Sequence, residues 1–192
     1  MTLKMKPIRR IVTGNDSQGR SGVLFDSAAP NVNVGKIAAS AGMTDIWVFD
    51  QCPVNISGVV DDGNRPFSFD PPASGGHFRI VHSAGKPDNY DPATDTTAVP
   101  LHPPHQRPHS HTFDRGGQNA FSSPVHQSQT VDYGILLEGR RTLLLDDGAR
   151  EMLPGDVVVQ LGNWHGWTNP VCPSLMAFIM MGATAIEPRD PE

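Results

Sequence analysis

The sequence predicts an all-β protein, a sandwich or barrel of short strands. Its 19 Gly and 18 Pro make up about a fifth of the 192 residues, which favours many turns. From residue 131 onward, runs of about five strand-forming residues alternate with Gly-containing turns. Residues 34–41 are the only segment with helical spacing, so a helical bundle is not expected. Short strands joined by tight turns are typical of sandwiches and barrels.

Residues 84–125 interrupt the strand pattern. They contain seven Pro and four His, with few apolar side chains, and we expect a long Pro/His-rich loop, either a lid or a mobile segment. The chain is expected to be effectively one domain. N-terminal strands and an arm over residues 1–74 would pack on a barrel over residues 75–187. The predicted strands are residues 8–13, 21–26, 45–50, 77–82, 131–137, 141–145, 149–153, 156–161, 165–169 and 175–181.

The charge of the chain argues against two classes of partner. A formal net charge of -5 gives no electrostatic attraction to phosphates or anionic lipid, so neither nucleic acid nor a membrane surface is expected. No apolar run approaches the roughly 20 residues of a membrane span, and Met1–Arg10 lacks the apolar run of a secretory signal. Cys52 and Cys172 could form one disulfide bridge, but they also fit two reduced thiols. A cytoplasmic location is expected.

Two motifs in the second half of the chain resemble those of the small single-domain cupins. The first has a histidine, a carboxylate and a glycine at the cupin spacing, and the second has Pro-Gly-Asp, a strand, a histidine and an asparagine. The matching residues are His126, Asp132, Gly139, Pro154, Gly155, Asp156, His165 and Asn169. The resemblance covers residues 75–185 and implies a double-stranded β-helix, the cupin jelly-roll barrel, with an N-terminal strand extension. It also implies a homodimer.

The first motif departs from the cupin pattern at two positions. Ser128 stands where the family has a second histidine, and Asp132 is one methylene shorter than the usual glutamate. The resemblance therefore leaves His126, Asp132 and His165 as ligands for one divalent metal, Fe, Mn or Zn, if a metal is bound. A chain without metal is the equal alternative.

The same residues are linked by strand geometry. Residues two apart share a face of a strand, so His126, Ser128 and Asp132 point the same way if the segment is extended. A polar face among apolar strands is expected where it lines a cavity, and small barrels hold one small ligand. We therefore predict a small-molecule site inside the barrel.

The predicted catalytic residues are His126, His165 and Asp132, the imidazoles acting as acid and base and the carboxylate orienting one of them. Four residues are predicted to bind substrate. Arg79 would grip a carboxylate with its guanidinium fork. The phenol of Tyr133 would act at the rim, although alternation turns it to the other face. The others are Ser128 and Trp167.

Three functions remain open from the sequence. The first is a lyase, a dehydratase or decarboxylase of small-molecule or secondary metabolism. The second is a metal-dependent dioxygenase, because two histidines and one carboxylate resemble the ligand set of non-haem iron oxygenases. The third is a non-catalytic ligand-binding cupin. The histidines of the long loop are expected to be solvated and without function. They are His102, His105, His109 and His111.

Overall fold

The structure, a computed structural model, describes residues 5–35, 40–169 and 171–185. The all-β prediction is confirmed, because these ranges hold fourteen strands and a single 3-10 turn at Pro92–Thr94. No helix in the described ranges has the length and apolar character needed to cross a membrane. The strands are β1 Arg9–Asn15, β2 Ser21–Ala28, β3 Asn31–Val34, β4 Gly42–Phe49, β5 Gly76–Ser83, β6 His105–Gln106, β7 Phe113–Asp114, β8 His126–Gln127, β9 Thr130–Glu138, β10 Arg141–Leu145, β11 Gly148–Met152, β12 Val157–Leu161, β13 Gly166–Thr168 and β14 Ser174–Gly182.

Two antiparallel sheets form the barrel. The larger has six strands in the order β12-β9-β14-β5-β4-β3, and the smaller has three in the order β11-β10-β13. The large sheet brings together strands from both ends of the chain, since β14 pairs with β5 on one side and with β9 on the other. The N-terminal strands β3 and β4 extend this sheet at one edge, as the cupin resemblance implies.

The hydrophobic core lies between the two sheets. Leu136, Met176 and Phe178 from the large sheet pack against Leu143, Met152 and Trp167 from the small one. The rings of Trp167 and Phe178 meet edge to face at 5.6 Å between centroids, a favourable arrangement for aromatic pairs. This contact closes the barrel from sheet to sheet.

Strand β9 alternates between the core and the outside, as predicted. Thr130, Asp132, Gly134 and Leu136 are buried, while the intervening side chains are partly or fully exposed. A Cβ on Gly134 would stand 2.9 Å from the ring of Phe178 and from a methyl of Val158. The space left by this glycine is therefore filled by core side chains.

The N-terminal arm covers the outer face of the large sheet. Ile8 packs there against a cluster of buried residues, namely Ile80, Leu175 and Ala177. The buried Arg10 fixes this arm, because its guanidinium donates to both carboxylate oxygens of Asp61, at 2.5 and 2.6 Å. The homodimer implied by the cupin resemblance stays a prediction.

Two sequence expectations differ from the structure. The helical spacing over residues 34–41 does not extend to Val34, which ends β3, and residues 36–39 lie outside the described part of the chain. Residues 84–125 are mainly loop, as predicted, but they include short strands that the sequence did not indicate. They contain β6 and β7, and β7 pairs with β8 next to the barrel. Two-residue strands with distant partners leave no periodic signal in a sequence.

Candidate functional site

A cavity of about 130 Å³ opens inside the barrel beside the core. Its walls include the apolar side chains of Trp167 and Phe178 and a larger set of polar ones. A void of this size is comparable with an engineered cavity that accepts one benzene ring, so it has room for a small molecule only. The polar lining residues are Asp70, Arg79, Arg107, Thr112, Ser123, His126, Ser128, Asp132, Arg141, Gln160 and His165.

His126 and His165 form a pair in this cavity. Their backbones are joined by two hydrogen bonds, His126 N to His165 O at 2.8 Å and His165 N to His126 O at 2.9 Å. This bridge brings the two rings to 4.4 Å between centroids. Each Nδ1 donates to a backbone carbonyl, that of Pro124 for His126 and that of Asn163 for His165. In both neutral rings Nε2 is thus left with its lone pair.

Burial keeps both imidazoles uncharged at neutral pH. Desolvation, together with the neighbouring His165, lowers the pKa of His126 to about 3. Desolvation also lowers the pKa of His165, against a hydrogen bond to Asn163 that favours its charged form. Because burial disfavours the charged form of each imidazole more than its one hydrogen bond favours it, each ring is an acceptor at Nε2 and not a cation.

Asp132 is the carboxylate of the same cavity. Only 3% of its surface is exposed, and its Oδ1 has no hydrogen-bond partner among the described residues. Burial raises the pKa of this carboxyl from 3.8 to about 6. Asp132 can therefore hold a proton under mildly acidic conditions, where an exposed carboxyl cannot.

Sequence reasoning missed the cation of the cavity, Arg141. The residue is 7% exposed, and neither Nε nor Nη1 finds an acceptor among the described residues. Its guanidinium lies 5.2 Å from the ring centroid of Trp167. Burial lowers the pKa of Arg141 to about 10, so the group stays charged at neutral pH. A buried cation without a counter-charge is costly in a folded chain unless an anion binds to it.

A second missed residue, Gln160, lies on the polar wall with Asp132. It is 2% exposed, and both its amide oxygen and nitrogen lack partners in the described chain. The alternation of inward and outward side chains along β10 and β12 could have indicated both residues. Arg141 shares the inward parity of Leu143, and Gln160 shares that of Val158. A polar residue at a strand position whose neighbours two residues away are apolar and face inward indicates a cavity wall.

The predicted role of Arg79 as a carboxylate grip is wrong. Arg79 does line the cavity, but its fork already holds a protein carboxylate, with Nε 2.6 Å and Nη2 3.1 Å from the oxygens of Asp45. Its remaining donors bind the carbonyl oxygens of Ser68 and Phe69. Because every nitrogen is engaged, Arg79 fixes the cavity wall, whereas Arg141 has no carboxylate partner among the described residues.

The predicted substrate contact of Tyr133 is also wrong. Tyr133 is exposed and is paired with Val159 on the outward face of the sheet, opposite to Asp132. Ser128 and Trp167 do line the cavity. The Ser128 hydroxyl is hydrogen-bonded to that of Thr130 at 2.7 Å.

Asn169, the last residue of the second motif, has a structural role. Its side-chain amide donates to the Ala84 carbonyl oxygen at 2.9 Å and its oxygen accepts from Ser174 at 3.0 Å. These bonds tie the end of β13 to the start of residues 84–125. We call these residues the segment that covers the barrel, because Arg107, Thr112 and Ser123 from it line the cavity.

The residues of the cavity do not fit the metal site of the cupin pattern. In the described chain, the only set of three or more metal-ligating side chains with converging ligand atoms lies elsewhere, and His126, Asp132 and His165 do not form one. Ser128, at the place of a further imidazole, is bonded to Thr130. The uncompensated charge of Arg141 in the same cavity repels a second cation. We therefore assign no step to a metal held by these three residues.

The chain is similar to fungal proteins over part of its length. It is 46% identical over 48 residues to the cupin-domain-containing oxidoreductase srdD of Neurospora crassa, a match covering 24% of each chain. It is 38% identical over 68 residues to the phomopsin biosynthesis cluster protein D of Diaporthe leptostromiformis, covering 34% of this chain and 36% of that protein. The matches thus span about a quarter to a third of the length of these curated relatives.

The chain also aligns with solved structures of cupin domains. A Cupin 2 conserved barrel domain protein from Salinispora arenicola aligns over 79% of this chain and 81% of its own, with 14% identity and a TM-score of 0.40. The assignment of fold therefore depends on the strand order and motif residues described above. No protein-family model matches the chain.

The buried carboxyl of Asp132 makes the stability of the protein depend on pH. The pKa of Asp132 is higher in the folded state than in the unfolded state. The contribution of this carboxyl to the free energy of unfolding is therefore complete below pH 3.8, and it is lost as the pH rises through about 6. We expect Asp132→Asn to unfold like the wild type at pH 4. At pH 8 the variant should be the more stable protein, by on the order of 3 kcal/mol.

Urea unfolding of both proteins between pH 4 and pH 8 measures this difference. The exposed Asp147→Asn serves as the control and should show no such divergence. A gap between wild type and Asp132→Asn that is the same at every pH would contradict the raised pKa.

Proposed function

We propose that this chain, a small cupin by its barrel and its motif residues, is a small-molecule enzyme of secondary metabolism that binds an organic anion in the barrel cavity and acts on it as a lyase. The observation that carries the proposal is the buried, unpartnered guanidinium of Arg141 in the same cavity as Asp132 and two neutral imidazoles. The biosynthetic setting is supported by the similarity to a phomopsin biosynthesis cluster protein.

The charge pattern of the cavity favours an anionic ligand. Arg141 offers Nε and Nη1 as donors without protein partners, and each of them can donate to an oxygen of a bound anion. An anion there removes the cost of an isolated buried charge, so the ligand's charge is recognised with little competition from water. The apolar walls, formed by Val81, Trp167 and Phe178, then take the hydrocarbon part of the ligand.

The remaining polar groups can move protons. The imidazole Nε2 atoms of His126 and His165 accept a proton, and a bound anion would raise their affinity for it. Asp132, with its pKa raised to about 6, donates one when protonated. A 3-hydroxy acid fits this set. An imidazole takes the proton from the carbon beside the carboxylate, Asp132 protonates the departing hydroxyl, the C–H and C–O bonds break, and a double bond and water form.

An oxidoreductase is the second candidate, favoured by the name of the relative srdD, a cupin-domain-containing oxidoreductase. Such a reaction needs an electron acceptor in addition to the substrate, whereas the dehydration above needs none. The two candidates share the anion site at Arg141 and differ only in what the bound molecule undergoes.

Removing the charge of Arg141 should weaken the binding of anions and stabilise the protein without ligand. We expect Arg141→Met to bind small organic acids roughly 30- to 4,000-fold more weakly, because a buried charged contact is worth about 2–5 kcal/mol. The same variant should melt at a higher temperature than the wild type in the absence of ligand.

The adjacent Arg140→Met is a matched control, because Arg140 is exposed and pairs with Glu151 at the surface. Calorimetric titration with a panel of small carboxylic acids, and a thermal melt of each protein, make the test. Equal affinity of Arg141→Met and wild type for every acid that binds would refute the anion site.

The lyase assignment predicts turnover without an electron acceptor. With a panel of small 3-hydroxy acids, we expect product lighter by one water under anaerobic conditions. The rate should fall as the pH rises above about 6, since Asp132 then loses its proton. Asp132→Asn should lower kcat by at least tenfold, because general acid catalysis contributes about 10²–10⁴-fold.

Asp147→Asn, at an exposed position, should keep the wild-type rate. Mass spectrometry of the products separates the candidates. Turnover that appears only with oxygen or another electron acceptor would favour the oxidoreductase, while the anion site would stand.

A further inference from the structure

Three side chains of the segment that covers the barrel converge on one point at its surface. They come from His102, His105 and Asp114, and their ligand atoms all lie within 4.8 Å of one another. We propose that these residues form a binding site for a divalent transition metal of the zinc type, separate from the barrel cavity. The sequence alone predicted solvated histidines in this segment.

The distances between the ligand atoms are close to those of a metal site. Oδ1 of Asp114 lies 3.5 Å from Nε2 of His102 and 3.9 Å from Nε2 of His105. Ligands about 2.05 Å from a tetrahedral zinc ion are about 3.3 Å apart. Movements of a few tenths of an ångström in these side chains therefore complete the geometry on the carboxylate side.

Local structure holds each of the three groups. His105 and Asp114 are directly opposite each other in the β6–β7 ladder, so their side chains share one face. Nδ1 of His102 donates to the Pro103 carbonyl oxygen at 2.8 Å, which leaves Nε2 as the free ligand atom. Gly116 makes room for this ring, because a Cβ there would stand 2.8 Å from its Cδ2.

The second oxygen of Asp114 has its own partner. Oδ2 accepts from Nε of Arg107 at 2.8 Å, and this bond orients the carboxylate with Oδ1 towards the histidines. Outer hydrogen bonds of this kind are usual for carboxylates and imidazoles that bind metals. The positive charge of Arg107 lowers the affinity of the site for a cation. The guanidinium of Arg107 also lies 5.2 Å from the ring centroid of Phe69.

The ligand set selects the class of metal. Two imidazole nitrogens and one carboxylate oxygen suit zinc and its neighbours, with further positions filled by water. Magnesium and calcium prefer oxygen ligands alone and are not expected here. The side chains of His102 and His105 are 31% and 55% exposed, so an ion has a path from solvent.

Metal binding at this point would act on the barrel cavity. Asp114 in β7 is paired with His126 in β8, and Arg107 itself lines the cavity. An ion that joins β6 to β7 thus stabilises the part of the covering segment that carries Arg107. The expected role is a clip that holds this segment in place, without contact between metal and substrate.

Zinc titration of the full chain, purified without a histidine tag, tests the site. We expect one equivalent of Zn²⁺ to bind, measured by competition with a chelating dye. His102→Ala and His105→Ala should each weaken binding by roughly 10- to 100-fold or more. His109→Ala is the matched control, since His109 is an exposed histidine of the same segment outside the cluster, and should bind as the wild type does.

Two further measurements distinguish the loss of metal ligands from the misfolding of a variant. Circular dichroism should give the same folded signal for all four proteins. Co²⁺ in place of Zn²⁺ should give visible absorption bands in the wild type that are lost in His102→Ala. Absence of stoichiometric zinc binding, or equal affinity in His102→Ala and the wild type, would overturn the proposal and leave the anion site unaffected.

Discussion

Desolvation of polar groups inside the barrel is the constraint on which the site depends. The two sheets close over a dry core, and the same closure removes water from the side chains at its border. Burial lowers the pKa of both His126 and His165, and raises that of Asp132. The effect on Arg141 is different, because its guanidinium stays charged at neutral pH. The cavity therefore contains two neutral imidazoles, a carboxyl that titrates near pH 6, and a guanidinium without a hydrogen-bonded counter-charge.

Arg79 and Arg141 show how the same residue type serves two purposes in one cavity. Arg79 is matched by Asp45 and two carbonyl oxygens, so its charge is compensated inside the protein. Arg141 has no such partners at Nε and Nη1 in the described chain. A paired guanidinium such as that of Arg79 has a structural role, whereas an unpaired buried guanidinium lowers the stability of the folded protein unless an anion binds to it. The arginine that we propose as the anion site differs from Arg79 by its missing partners, which a sequence does not display.

The sequence predicted the barrel because its signals are local. Strand length, Gly turns and alternation can each be recognised from consecutive residues. The bounds of β9 to β14 therefore lie close to the predicted ones. The grouping of His126, Asp132 and His165 followed from motif spacing. The pairs β6–β7 and β7–β8 were not predictable, since two-residue strands have no period. For the same reason the convergence of His102, His105 and Asp114 became visible only with the coordinates.

The anion site of Arg141 is the central claim, and a crystal structure grown in bromide tests it most directly. Bromide is a small anion that is located by its anomalous scattering. The account predicts a bromide ion inside the barrel, within hydrogen-bond distance of the guanidinium of Arg141. A guanidinium paired with a protein carboxylate, with no anion beside it, would contradict the account.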